Sequence, residues 1–248
     1  MKSLRRILRL SRLAVHVVNG IFLTLLLAGL LRMSLNEPFY QRVVAWWLRK
    51  VPQIIGVKLT VIGEPVNQAA LMVANHISWL DIPLLGGAAN PRFLSKQEVR
   101  HWPVIGWLAD KSGTLFITRG KAGAAAQAST TILQAMQGGR AVLLFPEGTT
   151  TTGNDVRTFH ARLFAPAFDA NVPVQPVAIR YPQADGQTNP LVPYVDQQSL
   201  GENLKAILGE KELHAEIHFL PLVYPVGMDR KTLAAQCEQQ VRGVVLNS

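Results

Sequence analysis

The pattern of hydrophobic and polar positions changes at Gly56. Before it, residues 13–31 form a run of 19 without a charged side chain, which is just long enough to span a bilayer as a straight helix. Residues 38–55 then mix apolar and basic positions as an amphipathic helix does, and Trp46 and Trp47 suit a membrane interface. This N-terminal part is therefore predicted to be a helical membrane anchor.

From residue 56 onward, short apolar segments alternate with helical ones. This alternation is typical of one α/β domain with a largely buried sheet. We therefore divide the chain into an anchor, residues 1–55, and a folded domain, residues 56–248, in which residues 182–210 form loops with one short helix. The predicted strands cover residues 57–62, 69–74, 92–95, 114–118, 141–145, 174–180 and 215–220, and the predicted helices cover residues 78–89, 122–137, 159–170 and 230–246.

The net charge of +9 is concentrated near the N-terminus. Residues 1–50 contain nine lysines and arginines against one glutamate, a net charge of +8, and the other residues have a net charge of +1. A nucleic-acid-binding domain would have its basic residues on a folded face. Here they flank an apolar run, so we expect membrane lipids with anionic headgroups as partners and no nucleic acid.

The apolar run has two alternative interpretations. A basic segment before it is typical of a signal peptide, but no small-x-small cleavage site follows residue 31, which favours an uncleaved anchor. Both ends of the run are basic, so the charge distribution leaves open whether it spans the bilayer or lies in one leaflet.

Several chemistries find no support in the sequence. The single cysteine, Cys237, excludes an intrachain disulfide, fits a reducing compartment and is expected to be a packing residue. His214 and His218 would suggest metal ligands on a helix, but their segment alternates as a strand does, so we expect no metal site. No Gly-x-Ser-x-Gly motif is present, so the common α/β serine hydrolases are excluded.

The first motif with candidate chemistry is residues 75–81, Asn-His-Ile-Ser-Trp-Leu-Asp, at a predicted strand-to-helix turn. Such turns at the carboxyl edge of a sheet are where α/β proteins build their sites. His76 suits proton transfer near neutral pH, and Asp81 can orient its ring if the histidine lies in the turn. Ser78 is predicted to be the N-cap of the helix, and because Ser78-x-x-Asp81 resembles a capping box, the alternative is that Asp81 only caps the helix.

Three further motifs follow. Residues 145–150, Phe-Pro-Glu-Gly-Thr-Thr, leave another buried strand and can bind a polar headgroup or an oxyanion, although an ordinary turn would look similar. Arg119 leaves a third strand and suits a phosphate, although a single arginine is often only solvated. Residues 172–179 contain two prolines and predict a core strand.

Together, in this order and spacing, the four motifs resemble the lysophosphatidic acid acyltransferase family of glycerolipid acyltransferases. The resemblance runs from about residue 57 to residue 179, and its most specific part is His-x4-Asp followed about 70 residues later by Phe-Pro-Glu-Gly-Thr. It implies a mixed, largely buried central sheet flanked by helices, behind an N-terminal helical anchor. It also implies catalytic residues His76 and Asp81, and substrate-binding residues Lys96, Arg119, Glu147, Gly148 and Thr149, with Gly106 as a further motif position.

The resemblance implies that a fatty acyl group moves directly from a thioester to the sn-2 hydroxyl of lysophosphatidic acid, giving phosphatidic acid in phospholipid biosynthesis. His76 would take the hydroxyl proton, and backbone amides near Gly148 or in the His76 turn would stabilise the oxyanion. The donor would be acyl-CoA or acyl carrier protein, with no cofactor. The folded domain would lie on the cytoplasmic face of the inner or plasma membrane.

Two departures from the family pattern leave the acceptor open. The third motif usually continues with arginine and serine, whereas this chain has Thr150 and Thr151. Further on, His160 and Arg162 stand where lysine and glycine are usual, and Arg157 or Arg162 can supply a charge. Lyso-ornithine lipid is therefore an alternative acceptor, and a non-catalytic lipid-binding protein is an alternative of another class.

Overall fold

The computed structural model describes residues 2–118, 124–195 and 198–246. The strands are β1 (Val57–Ile62), β2 (Leu71–Ala74), β3 (Arg92–Lys96), β4 (Leu115–Ile117), β5 (Val142–Leu144), β6 (Val174–Arg180) and β7 (Leu213–Phe219). The helices are α1 (Lys2–Thr24), α2 (Pro38–Ile55), α3 (Asp81–Ala89), α4 (Gln97–Arg100), α5 (Ile105–Ser112), α6 (Ala124–Gln137), α7 (Ala165–Asp169), α8 (Leu200–Gly209) and α9 (Arg230–Leu246).

All seven strands form one sheet in the order β1-β7-β6-β2-β5-β3-β4. The strands from β6 to β4 in this order are parallel, whereas β7 is antiparallel to β6 and parallel to β1. The predicted mixed central sheet is therefore confirmed. The carboxyl ends of β2, β3, β4, β5 and β6 lie at one edge, which also holds the start of β7, because Arg180 pairs with Glu216.

The sheet is buried on both faces near β2. Leu71 and Val73 belong to the core under α6 and α9, and Met72 and Ala74 belong to the core under α2, α3 and α8. This division follows from the two-residue period of a strand, and it explains why β2 reads as a continuous apolar run.

Some helices differ from the predictions. The segment predicted as one helix over residues 159–170 is a 3₁₀ turn, Ala161–Phe164, followed by α7, with Pro166 in the first turn of α7. The segment between β3 and β4 contains α4 and α5, which the sequence did not predict. The predicted start of α6 at residue 122 lies outside the described residues.

Helices α1 and α2 form an antiparallel pair on the α3 side of the sheet. The His16 and Trp47 rings stack at 4.7 Å, and the Trp47 indole donates to the His16 carbonyl at 3.0 Å. Gly20 permits this approach, since a Cβ there would lie 2.7 Å from the Trp47 ring. Val51 and Ile55 of α2 belong to the main core, so the end of the predicted anchor packs into the folded domain.

Three basic residues of α1, Lys2, Arg5 and Arg9, bind other parts of the protein. Arg5 donates to the Gly209 carbonyl at 2.8 Å, and Arg9 donates to the Glu210 carbonyl at 2.6 Å. Cations are favourable at a helix C-terminus, where carbonyls lack partners, so these arginines fasten α1 to α8. These contacts differ from the prediction that the basic residues near the N-terminus bind lipid headgroups.

The other face of α1 is apolar and exposed. By length and composition, Lys2–Leu30 is the single helix in the described part of the chain that can cross a membrane. Its final turns, Leu25–Leu30, are π-helical. The exposed positions recur at helical spacing and include Leu4, Leu8, Val15, Val18 and Phe22.

Candidate active site

The turn after β2 brings His76 and Asp81 together. His76 lies in the turn and Asp81 is the first residue of α3, so the chain folds back between them. His76 Nδ1 is 2.7 Å from Asp81 Oδ2, and the Asp81 side chain is completely buried. This geometry holds the histidine ring in one orientation, with Nδ1 toward the carboxylate and Nε2 pointing away from it.

Asp81 binds the turn before its helix. Its Oδ2 accepts the backbone N–H groups of Ile77 at 2.8 Å and Ser78 at 3.0 Å, both upstream of α3. The prediction that Ser78 caps the helix is wrong, because the residue preceding α3 is Leu80 and the buried Ser78 Oγ has no hydrogen-bond partner among the described residues. The Asp81 carboxylate therefore organises the turn that carries His76.

Tyr181 completes this network and was not found from the sequence. Its hydroxyl donates to Asp81 Oδ1 at 2.6 Å inside the core. Burial, together with the adjacent Asp81 charge, holds the pKa of Tyr181 well above its usual value, so it remains a donor. Tyr181 directly follows β6, and only the adjacency of β6 and β2 in the sheet reveals its role.

Glu147 joins the second motif to the first. Its Oε1 accepts the His76 backbone N–H at 2.7 Å, and its Oε2 accepts the Arg157 N–H at 2.7 Å. Burial raises the pKa of Glu147, and these two N–H bonds oppose the rise. With 4% of the residue exposed, Glu147 is placed to brace the His76 turn and presents little surface to a headgroup.

The His76 ring is also packed from the side. Phe145 stacks on it at a centroid distance of 3.9 Å and an interplanar angle of 13°. The Thr151 backbone N–H donates to the His76 carbonyl at 2.8 Å. Nε2 has no hydrogen-bond partner among the described residues and is the nitrogen available to a substrate. An oriented imidazole with one free nitrogen suits general-base chemistry.

The turn after β5 differs from the turn after β2 because part of it, at Thr149, is exposed. Gly148 adopts a φ of +76°, which favours glycine, and its N–H bonds to the Phe145 carbonyl at 3.1 Å. Thr149 is exposed, and the Thr150 hydroxyl donates to the Tyr194 carbonyl. The amides of Gly148 and of the His76 turn, expected as oxyanion donors, thus already have protein partners. The N–H groups of Thr149 and Thr150 have none among the described residues.

Comparison with known proteins agrees with this geometry. The family model described as Acyltransferase matches residues 49–180. The chain belongs to the Acyltransferase family. It is 42% identical to a lyso-ornithine lipid O-acyltransferase of Pseudomonas aeruginosa, over 98% of this chain and 94% of that protein. It is 32% identical to a 1-acyl-sn-glycerol-3-phosphate acyltransferase of Neisseria gonorrhoeae, over 74% of this chain and 73% of that protein.

A solved structure supports the fold of this acyltransferase. The 1-acyl-sn-glycerophosphate acyltransferase PlsC from Thermotoga maritima matches with a TM-score of 0.74, over 100% of this chain and 97% of that one. At 22% sequence identity, this likeness concerns the fold alone. The predicted membership of a glycerolipid acyltransferase family is confirmed.

Of the remaining predicted substrate-binding residues of the acyltransferase, Lys96 lies at the same sheet edge. Lys96 is the exposed last residue of β3, at the edge that carries His76. Gly106 is buried and packs on the carbonyls of the preceding helix, α4. Arg119 lies outside the described residues. Arg157 and Arg162 are exposed in the chain after β5.

His214, His218 and Cys237, for which no metal or thiol chemistry was predicted, have structural roles. His214 and His218 lie on β7, as predicted, and are 3.1 and 3.2 Å from Glu212 and Glu216, respectively. No group of three or more potential metal ligands occurs within the described ranges. Cys237 is buried in α9, and burial raises the pKa of its thiol to about 12, so it packs in the core and is unreactive.

Proposed function

We propose that this acyltransferase moves a fatty acyl group from acyl-CoA or acyl carrier protein to the hydroxyl of lyso-ornithine lipid. The observation that carries the choice of acceptor is Thr150, whose hydroxyl binds the Tyr194 carbonyl at the position where an arginine is usual in lysophosphatidic acid acyltransferases. The lyso-ornithine lipid enzyme of Pseudomonas aeruginosa, similar over nearly the whole chain, supports it. Sequence analysis had placed lysophosphatidic acid first.

In the proposed reaction, His76 Nε2 removes the proton of the acceptor hydroxyl. The resulting imidazolium is stabilised by Asp81, 2.7 Å from Nδ1. The hydroxyl oxygen attacks the thioester carbonyl, and the C–S bond breaks as the tetrahedral intermediate collapses. The proton on Nε2 then passes to the leaving thiolate, so no covalent acyl-enzyme is needed. A simple thiol has a pKa of about 8.5, so it needs little acid assistance.

The oxyanion would be stabilised by the turn after β5. The N–H groups of Thr149 and Thr150 lack partners among the described residues and belong to the turn that Glu147 ties to His76. Backbone donors fixed before the reaction stabilise developing charge without reorganisation. We propose these two amides in place of the Gly148 and His76-turn amides.

Lysophosphatidic acid is the second candidate acceptor, and Lys96 favours it. This exposed cation lies at the same sheet edge as His76, where a phosphate can reach it. The Neisseria gonorrhoeae relative is named for that acceptor. Arg119 would be the second phosphate contact on this alternative.

The proposed orientation of the protein at the membrane depends on how α1 packs on the folded domain. Its arginines bind the end of α8, and His16 binds α2, so one face of the helix is fixed to the folded domain near both its start and its middle. The apolar stripe on the other face runs parallel to the domain surface. We propose that α1 lies in one leaflet, with the active site on the cytoplasmic side, where acyl-CoA and acyl carrier protein are found.

An acceptor panel tests the proposal. Purified protein in mixed micelles is offered lyso-ornithine lipid, lysophosphatidic acid or lysophosphatidylcholine with each donor, and thiol release is measured. Preference for lyso-ornithine lipid is expected, with Thr150→Arg shifting preference toward lysophosphatidic acid. Preference of the unmodified protein for lysophosphatidic acid, with a raised KM for it in Arg119→Ala, would reject the assignment. Absence of thiol release with every acceptor would favour the non-catalytic alternative.

A further inference from the structure

The connection between α4 and α5 presents an exposed apolar tip. Trp102, Val104 and Ile105 are 41%, 42% and 44% exposed, respectively. Single exposed apolar side chains are ordinary, but three within four residues form a contiguous patch, which is typical of a surface that meets another apolar phase. This tip has no part in the proposed chemistry.

The backbone of the tip is strained at Val104. The Ile105 N–H bonds to the Pro103 carbonyl at 2.6 Å, closing a γ-turn around Val104. Val104 has a φ of +61° and a ψ of −57°, a conformation that is rare for any residue and especially for a β-branched one. Strain of this kind persists only where the surroundings impose it, and it is concentrated at functional sites.

Gly106 makes the tip a firm part of the fold. A Cβ at this position would lie 2.4 Å from the Arg100 carbonyl oxygen and 2.5 Å from that of Val99, so only glycine fits. The Gly106 N–H bonds to the Trp102 carbonyl at 3.0 Å. The loop is thus seated closely on α4, and its apolar side chains have little room to fold back into the core.

The tip belongs to the same side of the molecule as the predicted anchor. Helix α5 contacts α1, and the Tyr40 hydroxyl of α2 donates to the Lys111 carbonyl at the end of α5 at 2.9 Å. The tip also follows β3, whose last residue, Lys96, lies at the active-site edge. Beside it, Arg100 pairs with Asp110 at 3.0 Å and is still exposed, and an exposed arginine suits an anionic headgroup layer.

We propose that residues 102–105 are a second membrane contact, which dips into the headgroup region beside the active-site edge while α1 holds the domain to the same leaflet. A tryptophan with neighbouring aliphatic side chains and a flanking arginine is the composition that such an interface favours. The proposal depends on the membrane attachment of α1 and is independent of which acceptor is used.

Site-specific labelling tests it in the full chain. The only native cysteine is buried with a raised pKa, so a single introduced cysteine can be labelled selectively. Val104→Cys carries an environment-sensitive fluorophore, with Ile105→Cys as a second reporter at the tip. Val15→Cys on the exposed face of α1 reports attachment itself. The matched control is Val226→Cys, an exposed site that follows Val223, which pairs with Val174 at the start of β6 and so lies at the edge opposite the active site.

With phosphatidylcholine vesicles containing phosphatidylglycerol, labels at positions 104, 105 and 15 should shift to shorter emission wavelengths. They should also be quenched by brominated acyl chains, whereas the label at position 226 should do neither. A shift at position 15 without one at 104 or 105 would overturn the proposal while leaving the attachment of α1 intact. No shift at position 15 would overturn both. A response at position 104 that rises with protein concentration in lipid-free detergent would assign the tip to a second copy of the chain instead.

Discussion

The turns after β2 and β5 occupy equivalent places at one sheet edge, yet they are built differently. In the turn after β2, the N–H groups of His76, Ile77 and Ser78 all bind carboxylates. In the turn after β5, Glu147 is buried and both of its carboxylate oxygens accept hydrogen bonds. Thr149, in contrast, is exposed, and its N–H has no partner among the described residues. One turn is held rigidly by protein groups, and the other is half open to a substrate.

The contrast between the two turns indicates which residues can vary. A general base must keep a fixed orientation, because small displacements of a reacting group cost large factors in rate. A headgroup contact can change with the substrate, since loop residues tolerate replacement where the scaffold is rigid. The departure at Thr150 falls in the open half, as expected if it alters the acceptor and leaves the chemistry unchanged.

The largest effect is expected from His76→Ala. Removing the general base should lower kcat by about 10²–10⁴-fold while the protein stays folded, as checked by circular dichroism and steady-state thiol release. His214→Ala, at an exposed histidine on β7, is the matched control and should retain normal turnover. A His76→Ala protein with nearly normal turnover would end the assignment of His76 as the base.

Glu147→Gln should come next and should affect both folding and turnover. The NH₂ group of the glutamine side chain would face one of the two backbone N–H donors, which would lose its acceptor. Leaving a buried donor unpaired costs about 1–3 kcal/mol. Thermal unfolding should show this loss, and kcat should fall because the His76 turn loosens.

The control for Glu147→Gln is Glu98→Gln, at an exposed glutamate of α4, which should be silent in both assays. If Glu147→Gln kept a normal kcat but had a raised KM for the acceptor, Glu147 would instead bind the headgroup, as the resemblance implied.

Tyr181→Phe should have a smaller effect on stability and turnover. It removes one hydrogen bond to a charged group, worth about 1.5–3 kcal/mol. With that donor gone, the Asp81 carboxylate is held less firmly against His76 Nδ1, so kcat should fall severalfold while the acceptor KM stays the same. Thermal unfolding and steady-state thiol release measure the two effects.

Tyr224→Phe, at an exposed tyrosine, should leave both stability and kcat unchanged. If Tyr181→Phe lost stability but kept the wild-type kcat, Tyr181 would be a packing residue only.

The smallest effect is expected from Thr150→Val. The hydroxyl makes one neutral hydrogen bond to a carbonyl, worth about 0.5–1.5 kcal/mol, and it lies outside the His76 network. Stability should fall slightly and kcat should hold, with any change confined to the acceptor KM. A large fall in kcat would show that the two turns are coupled more tightly than their contacts indicate.

Local pattern was enough for much of this molecule. Alternating and continuous apolar runs identified the seven strands to within about two residues, because burial imposes a period on side chains along a strand. The motif spacing predicted that His76 and Asp81 lie side by side, as their 2.7 Å contact confirms, since a strand followed by a helix leaves only a short turn in which the two side chains can meet. The apolar N-terminal run likewise follows directly from composition.

Tertiary structure alone decided the remaining features. Tyr181 reaches Asp81 across 100 residues because β6 lies beside β2, and no local period encodes strand order. Glu147 is a brace because the turn after β5 lies against the turn after β2, which determines where its oxygens find N–H donors. Arg5 and Arg9 bind the end of α8 because α1 packs there, a contact between segments about 200 residues apart. Hydrogen bonds between residues so far apart in sequence depend on how the elements assemble. That assembly is a property of the packed core and not of any single segment.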